Sequence, residues 1–254
     1  MTHVGIDLGT TFSAISYLDG VGRSSICPIG SDGERICASV VYRNPRKRGT
    51  LEVGGYAAKA AAEFPEAVAG HFKISMGTND LISLGDEQYT ATTLSSVVLK
   101  KLVKSFEEQH GKLSSAVITV PANFTESARA ETLKAAEMAG ISAKHIINEP
   151  TAAILAFTQR AEITGTVLVY DFGGGTFDAT IAEVEGSRVR VLTSDGDKHL
   201  GGKDLDKVIF DFFANKYREA TGVKWEASRD DEDRFKMFQL KAENIKKDLS
   251  RNES

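Results

Sequence analysis

A short apolar run, Val4 to Leu8, gives way to Gly9, Thr10 and Thr11, and alternation resumes with Ala14, Ile15 and Tyr17. That pattern predicts strand, tight turn, strand. The same pattern returns at Leu168 to Tyr170, the small residues Gly173 to Thr176, and Ala179, Ile181 and Val184. Between the two copies the periodicity changes. From Leu94 to Gln109 the apolar positions Val98, Leu102 and Phe106, flanked by Leu99 and Val103, fall at helical spacing, and Gly111 is a plausible stop. Ala116 to Val120 reads as a short buried strand ended by Pro121. Thr125 suits the N-cap of a helix running to Ala139, and Gly140 suits its end. Ile146-Ile147 is a further strand, and Pro150 opens a helix through about Gln159.

The remaining stretches are read more coarsely. Strand-like segments run to about Tyr42, and the span from Arg43 to Thr92 looks irregular and turn-rich, with an Ala-rich helix candidate at Ala57 to Glu63. After the second hairpin, strand residues continue through Val189, Val191 and Leu192. Gly196 and Gly201-Gly202 read as a turn region, followed by helix candidates at Asp204 to Tyr217 and Asp231 to Leu249. The order is hairpin, insertion, helix, strand, helix, strand, helix, and hairpin again. This predicts an α/β protein with an internal duplication whose second copy lacks later strand–helix pairs.

The repeated turn suggests chemistry. Small residues let backbone N–H groups approach an anion closely, and the hydroxyls of Thr10, Thr11 and Thr176 add donors. Asp7 and Asp171, one at the end of each first strand, are hard oxygen ligands suited to Mg2+, with contact expected through metal-bound water. A single Asp-x-Gly turn is usually just a hairpin; two in matching contexts point to a shared site. Composition adds little. The chain has 254 residues, 41% hydrophobic and 26% charged, as expected of a soluble globular protein that buries a core. A net charge of −4 and only one short basic stretch, Arg43 to Arg48, point away from nucleic-acid and membrane surfaces and make that stretch a solvated loop. Cys27 and Cys37 lack metal-ligand spacing and are expected to be reduced, in a cytoplasmic protein without a secretory signal or membrane span.

Several motifs together carry a resemblance. They are Gly5-Ile6-Asp7-Leu8-Gly9-Thr10-Thr11, Val120-Pro121-Ala122, Asn148-Glu149-Pro150-Thr151-Ala152-Ala153, Asp171-Phe172-Gly173-Gly174-Gly175-Thr176-Phe177-Asp178 and His199-Leu200-Gly201-Gly202. In this order they resemble the ATPase domain of the Hsp70 chaperone family, within the actin and sugar-kinase superfamily, over nearly the whole chain. No P-loop motif is present. The resemblance implies an actin-like ATPase (ribonuclease H-like) fold with duplicated lobes, the second incomplete. Lobe I would be residues 1–161 with 36–93 as an inserted subdomain. Residues 162–254 would be partial lobe II, with core hairpins at 162–200 and the start of a helical subdomain at 201–254.

By the same resemblance Lys73, in Phe72-Lys73-Ile74-Ser75-Met76-Gly77, is the catalytic lysine that neutralises γ-phosphate charge and helps place water. Glu149, held extended before Pro150, positions water near the metal. Thr176 and Asp178 lie near the γ-phosphate, although Asp178 could instead cap its hairpin. Gly9, Thr10, Thr11 and Phe12, with Gly173, Gly174, Gly175, Gly201 and Gly202, bind the nucleotide. Glu243, Lys246, Lys247 and Ser250 share one helical face and would pack on the adenosine; read without the family, they are an ordinary solvent-exposed pair and its neighbours. Pro121 and Arg129 match a pair relaying nucleotide state. Implied cofactors are ATP or ADP with Mg2+, with K+ as a further candidate. Implied partners are unfolded client polypeptides, a J-domain co-chaperone and a nucleotide-exchange factor.

Departures qualify the picture. Phe12 stands where Asn or Tyr is common, Asn123 where an aromatic is frequent, and Lys247 where Arg is common. The family's later Gly-Gly-x-Ser/Thr-Arg-x-Pro adenosine motif, its linker and its β-rich substrate domain do not occur in these residues. The expected function is MgATP hydrolysis controlling peptide binding. The alternatives are a noncatalytic fragment with weak or no nucleotide binding, an actin-like filament protein, and a sugar kinase, for which no sugar-pocket motif is found.

Overall fold

Alternating burial builds the first hairpin. Strand β1 (His3–Leu8) buries Val4, Ile6 and Leu8, and β2 (Phe12–Leu18) returns antiparallel with Asp7 opposite Ala14 and Leu8 opposite Ser13. The computed structural model describes the chain apart from residues 1, 31, 32, 48, 160, 187, 198, 223–240 and 251–254. Strands β3 (Ser24–Ile26) and β4 (Cys37–Ala38) both pair antiparallel with β2. On the other side β10 (Ser115–Val120) runs parallel to β1, and β11 (Ala143–Asn148) parallel to β10. The result is a mixed sheet of order β11-β10-β1-β2-β3.

The span from Arg43 to Thr92 is more regular than its sequence suggests. It contributes β6 (Leu51–Val53) and β7 (Val68–Gly70), which flank β5 (Val40–Arg43) in a three-stranded sheet. It also forms the hairpin of β8 (Leu81–Leu84) and β9 (Glu87–Thr90). Three- and four-residue strands are too short to display a period of two, which is why they went unseen. Arg43 is not on a solvated loop. Its side chain is 15% exposed and paired with Asp86 and Glu87, which ties β5 to the β8–β9 hairpin. Helix α1 is Gly55–Ala60 rather than 57–63, because residues 61–63 tighten into i→i−3 bonds before Pro65.

Helix α2 (Ala91–His110) starts three residues ahead of its expected position because the Thr90 hydroxyl accepts from the Thr93 N–H; Gly111, at φ 78°, ends it. Helix α3 (Glu126–Met138) is capped by Thr125 as expected. Phe106, Leu94, Val98, Leu99 and Leu102 of α2 join Ile6, Leu8, Ile15 and Ile118 of the sheet in one buried cluster. Each such side chain stabilises the fold by about 1.5–3 kcal/mol. That cluster makes β1 and β10 a rigid platform for the polar residues on their other face. Cys27 and Cys37 are free and buried.

The second hairpin belongs to a separate three-stranded antiparallel sheet, β12 (Gly165–Phe172), β13 (Phe177–Glu185) and β14 (Arg188–Asp197), which repeats the β1-β2-β3 meander. Gly196 is not in a turn: it pairs with Asp178 inside β14. A Cβ there would lie 2.1 Å from the Phe177 carbonyl oxygen, so the glycine permits a close strand approach rather than a reversal. Helix α4 (Glu149–Thr158) touches β10 and β11 on one side and β12 and β14 on the other, and its Ile154 is buried with Ala182 and Val184. Helix α5 (Gly202–Thr221) follows, ended by Gly222 in the left-handed region. Of the last helix expected, 231–240 lie outside the described residues and 241–249 are helical. Among the described residues, no helix is long and apolar enough to cross a membrane.

Candidate functional site

The two glycine-bearing turns meet face to face. At Gly174 a Cβ would sit 1.9 Å from Thr11 Oγ1, and at Gly9 2.1 Å from the Phe12 carbonyl oxygen. Both turns therefore depend on missing side chains for close backbone approach. The first is braced from beneath. The Gly9 N–H donates to Ser13 Oγ at 3.2 Å, Ser39 Oγ donates to the Gly9 carbonyl at 2.8 Å, and the Ser39 N–H donates to the Thr11 carbonyl at 2.8 Å. The second is closed by the Gly173 N–H donating to the Thr176 carbonyl at 2.8 Å. Gly201 and Gly202 pack directly on it: the Gly202 and Lys203 N–H groups donate to the carbonyls of Gly173 and Gly174, both at 2.9 Å.

Between the turns lies a cleft of about 750 Å3, a size that suits a nucleotide. Asp7, Gly9, Thr10, Thr11, Phe12 and Lys73 line it together with Pro121, Glu149, Asp171, Gly173, Gly174 and Thr176. Residues that lie far apart in the sequence, and that the motifs singled out, are thus brought to one space. Gly175 packs beside it against His71 and Thr10. A smaller chamber of about 200 Å3 adjoins the cleft, sharing Thr10, Lys73, Pro121 and Thr176 with it and adding Asn123, Phe124 and Asp178.

Charge in the cleft is arranged around one buried pair. Lys73, 4% exposed, places Nζ 2.6 Å from Glu149 Oε1 and 5.5 Å from the centre of the Phe124 ring. Glu149 is not the extended residue of its motif. Asn148 is extended and stands at the N-cap position without a side-chain capping bond, while Glu149 is already the first helical residue, where the helix dipole and Lys73 both favour its carboxylate. Burial nevertheless pushes the Glu149 carboxyl above its ordinary range, opposed by Lys73 and reinforced by Asp7 and Asp171. The Asp171 carboxyl is raised too, by burial first and then by Asp7, with Lys73 opposing.

This donor set fits a hydrated divalent cation and a polyphosphate. Two carboxylates whose charges oppose one another face the same space, and Thr11 Oγ1 is buried without a hydrogen-bond partner. Among the described residues, no cluster of three or more His, Cys, Asp or Glu could hold a bare metal. Mg2+ needs none when water and phosphate oxygens fill most of its coordination shell.

The remaining candidates lie nearby or apart. Asp178 sits within β13 opposite Asp171 and accepts from Asn123 Nδ2 at 2.8 Å. Arg129 donates to the carbonyls of Pro121, Ala122 and Phe124 and, at 2.8 Å, to Asn148 Oδ1. Glu243, Lys246, Lys247 and Ser250 do not line the cleft. Lys246 reaches the Gly202 carbonyl at 2.9 Å and Asp206 at 2.7 Å, Lys247 pairs with Glu243 at 2.7 Å, and Ser250 Oγ donates to the Lys246 carbonyl.

Three residues escaped the sequence reading. Thr119 Oγ1 donates to Asp7 Oδ1 at 2.8 Å; its signal was a polar position on the β10 face opposite Ala116, Ile118 and Val120. Ser39 left no signal, since a small residue between strands says nothing of the turn above it. His71 adopts φ 56°, the one left-handed non-glycine conformation among the described residues, and packs its ring on Gly175.

Comparison with known proteins agrees with this geometry. The profile of the family described as Hsp70 protein matches residues 73–254. The chain is also 38% identical over 249 residues to a protein of Thermotoga neapolitana named chaperone protein DnaK, which covers 97% of this chain. The chain spans 41% of the length of that relative. With both of the turns, the lysine–glutamate pair and this family match in hand, the chain belongs to the Hsp70 family.

Proposed function

We propose that this chain is the nucleotide-binding part of an Hsp70-type chaperone, and that it holds MgATP in the cleft between the two turns and hydrolyses it to ADP and phosphate. The observation that carries the reading is the interlock of Thr11 with Gly174 over a cleft that also takes in Lys73, Glu149, Asp7 and Asp171. The fold is read as actin-like. Residues 1–161 form lobe I with 36–93 inserted, and 162–254 form part of lobe II, divided at 200. The repeat of the three-stranded meander and the position of α4 between the sheets support that division.

The roles follow from the chemistry of the side chains. Backbone N–H groups of residues 9–12 and 173–176, with the threonine hydroxyls, bind phosphate oxygens. Asp7 and Asp171 would hold Mg2+ through its water, and the bound ion neutralises polyphosphate charge. Lys73 faces the γ-phosphate with its ammonium held by Glu149, so no side-chain reorganisation is needed as charge develops. Thr176 lines both the cleft and the smaller chamber beside Lys73, and Asp178 lines that chamber. In-line attack of water then depends mainly on positioning. Pro121 and Arg129 would relay lobe closure, and in the whole protein that closure controls binding of client polypeptides, with a J-domain co-chaperone and a nucleotide-exchange factor as partners.

A second reading, a noncatalytic fragment with weak or no nucleotide binding, is favoured by the mutual pairing of Glu243 with Lys247, residues that do not line the cleft. Steady-state release of phosphate from MgATP by the 254-residue chain, with Lys73→Ala alongside, decides between them. The proposed function expects turnover that the variant loses. No turnover by the folded parent chain would establish the second reading.

A further inference from the structure

The loop between β10 and α3 is held unusually firmly. Arg129 reaches back from the first turn of α3 and donates to three of the loop's carbonyls, at 3.4 Å for Pro121, 3.1 Å for Ala122 and 3.2 Å for Phe124. It also donates to Asn148 Oδ1 at 2.8 Å, beside Glu149. A loop clamped this way holds Asn123 at a fixed point, beside the Phe124 ring that faces Lys73. Asn123 Nδ2 donates to Asp178 Oδ1 at 2.8 Å, a link across 55 residues that joins the first sheet's connection to the second hairpin. Asp178 lies opposite Asp171 in the strand register and two residues beyond Thr176. Asn123, Asp178, Lys73 and Thr176 all line the small chamber behind the cleft.

We propose that Asn123 is a positioning residue for the phosphate end of the cleft. It fixes the Asp178 carboxylate and couples the β10–α3 loop to the second hairpin. The inference rests on the nucleotide reading given above. An amide suits this task. It donates to a carboxylate without carrying charge of its own, so it orients Asp178 while leaving its negative charge in place. It is also short, and the carbonyls on either side of it, Ala122 and Phe124, are held by Arg129, so little freedom is left to the amide. Misplacement of such a group by an ångström is the kind of error that costs turnover while leaving substrate affinity largely intact.

The test exchanges the two ends of the bond. Asn123→Ala, Asn123→Asp, Asp178→Asn and the swap Asn123→Asp with Asp178→Asn are made in the full 254-residue chain. Thermal unfolding is followed without nucleotide, MgADP binding by calorimetry, and MgATP turnover at steady state. The expected results are a lowered Tm in each single variant, largely recovered in the swap, which restores an amide–carboxylate pair. In Asn123→Ala, kcat should fall at least about tenfold with KM changed less than about threefold. The swap should recover stability but not kcat, because its carboxylate now sits on the loop.

Three results overturn the inference. One is additive single-variant effects in the unfolding cycle, which would mean no bridge in solution. Another is unchanged kcat in Asn123→Ala. The third is recovery of kcat together with stability in the swap, which would make the bond a mere brace. Failure of the nucleotide reading looks different: the parent chain itself would bind no MgADP and turn over no MgATP, while the unfolding cycle still reported the bridge.

Discussion

Replacing Lys73 with Met should expose how finely the buried ion pair is balanced. At 2.6 Å the attraction between Lys73 and Glu149 is roughly 6 kcal/mol for an effective dielectric constant near 20. Withdrawing each charge from water costs several kcal/mol, so the pair contributes little net stability. The raised Glu149 carboxyl is consistent with this, since burial outweighs the adjacent ammonium. Removing one partner is different: Glu149 is left buried and uncompensated, at a cost of about 3–5 kcal/mol.

The sign with pH follows. A carboxyl whose folded pKa lies above its unfolded value holds its proton to higher pH in the folded state. Its ionisation penalty is therefore absent below the ordinary carboxylate range and complete above the raised value. The deficit of Lys73→Met should accordingly be larger at pH 8 than at pH 4.5. Urea unfolding followed by circular dichroism, for the parent, Lys73→Met, Glu149→Gln and the double variant, gives the coupling. Each single variant should lose about 3 kcal/mol at pH 8, and the double variant under about 1 kcal/mol. Single losses that simply add, within about 0.5 kcal/mol, would refute the assignment of a coupled buried pair.

Two further perturbations address the turns and the carboxylates. Gly174→Ala forces a methyl against Thr11, whose Cβ would be 2.8 Å away, so it should cost about 1–3 kcal/mol in urea unfolding and weaken MgADP binding at least tenfold; Thr11→Ala added to it should recover part of both. Asp171→Asn relieves a carboxylate raised by burial and by Asp7, so the nucleotide-free chain should unfold at a higher temperature than the parent at pH 7.5. That advantage should vanish as pH falls through the raised Asp171 value, while the Mg2+ dependence of nucleotide binding is lost.

What could be read from the sequence was whatever has a local cause. Thr125 and Gly111 mark helix ends because caps are local hydrogen bonds and local dihedral angles. The paired turns were legible because both copies repeat strand, small residues and strand. The insertion was illegible because its strands are only three or four residues long and are held by partners distant in the sequence, such as Val40 with Gly70. Gly196 misled for a related reason: a glycine that admits a close neighbour looks like a glycine that turns the chain. At the site, the residue types were visible but their geometry was not. Nothing local distinguishes Thr119, which fixes Asp7, from any other strand threonine, and nothing in the loop sequence reveals that Asn123 reaches Asp178.

The central claim is that two interlocked turns, with the carboxylates and lysine between them, form a working polyphosphate site within these 254 residues. Calorimetric titration of MgADP into the chain tests it most directly. Saturable binding at one site per chain, weakened when Mg2+ is chelated, is the expected result. A chain shown by circular dichroism to be folded, yet binding no MgADP at millimolar concentration, would contradict it.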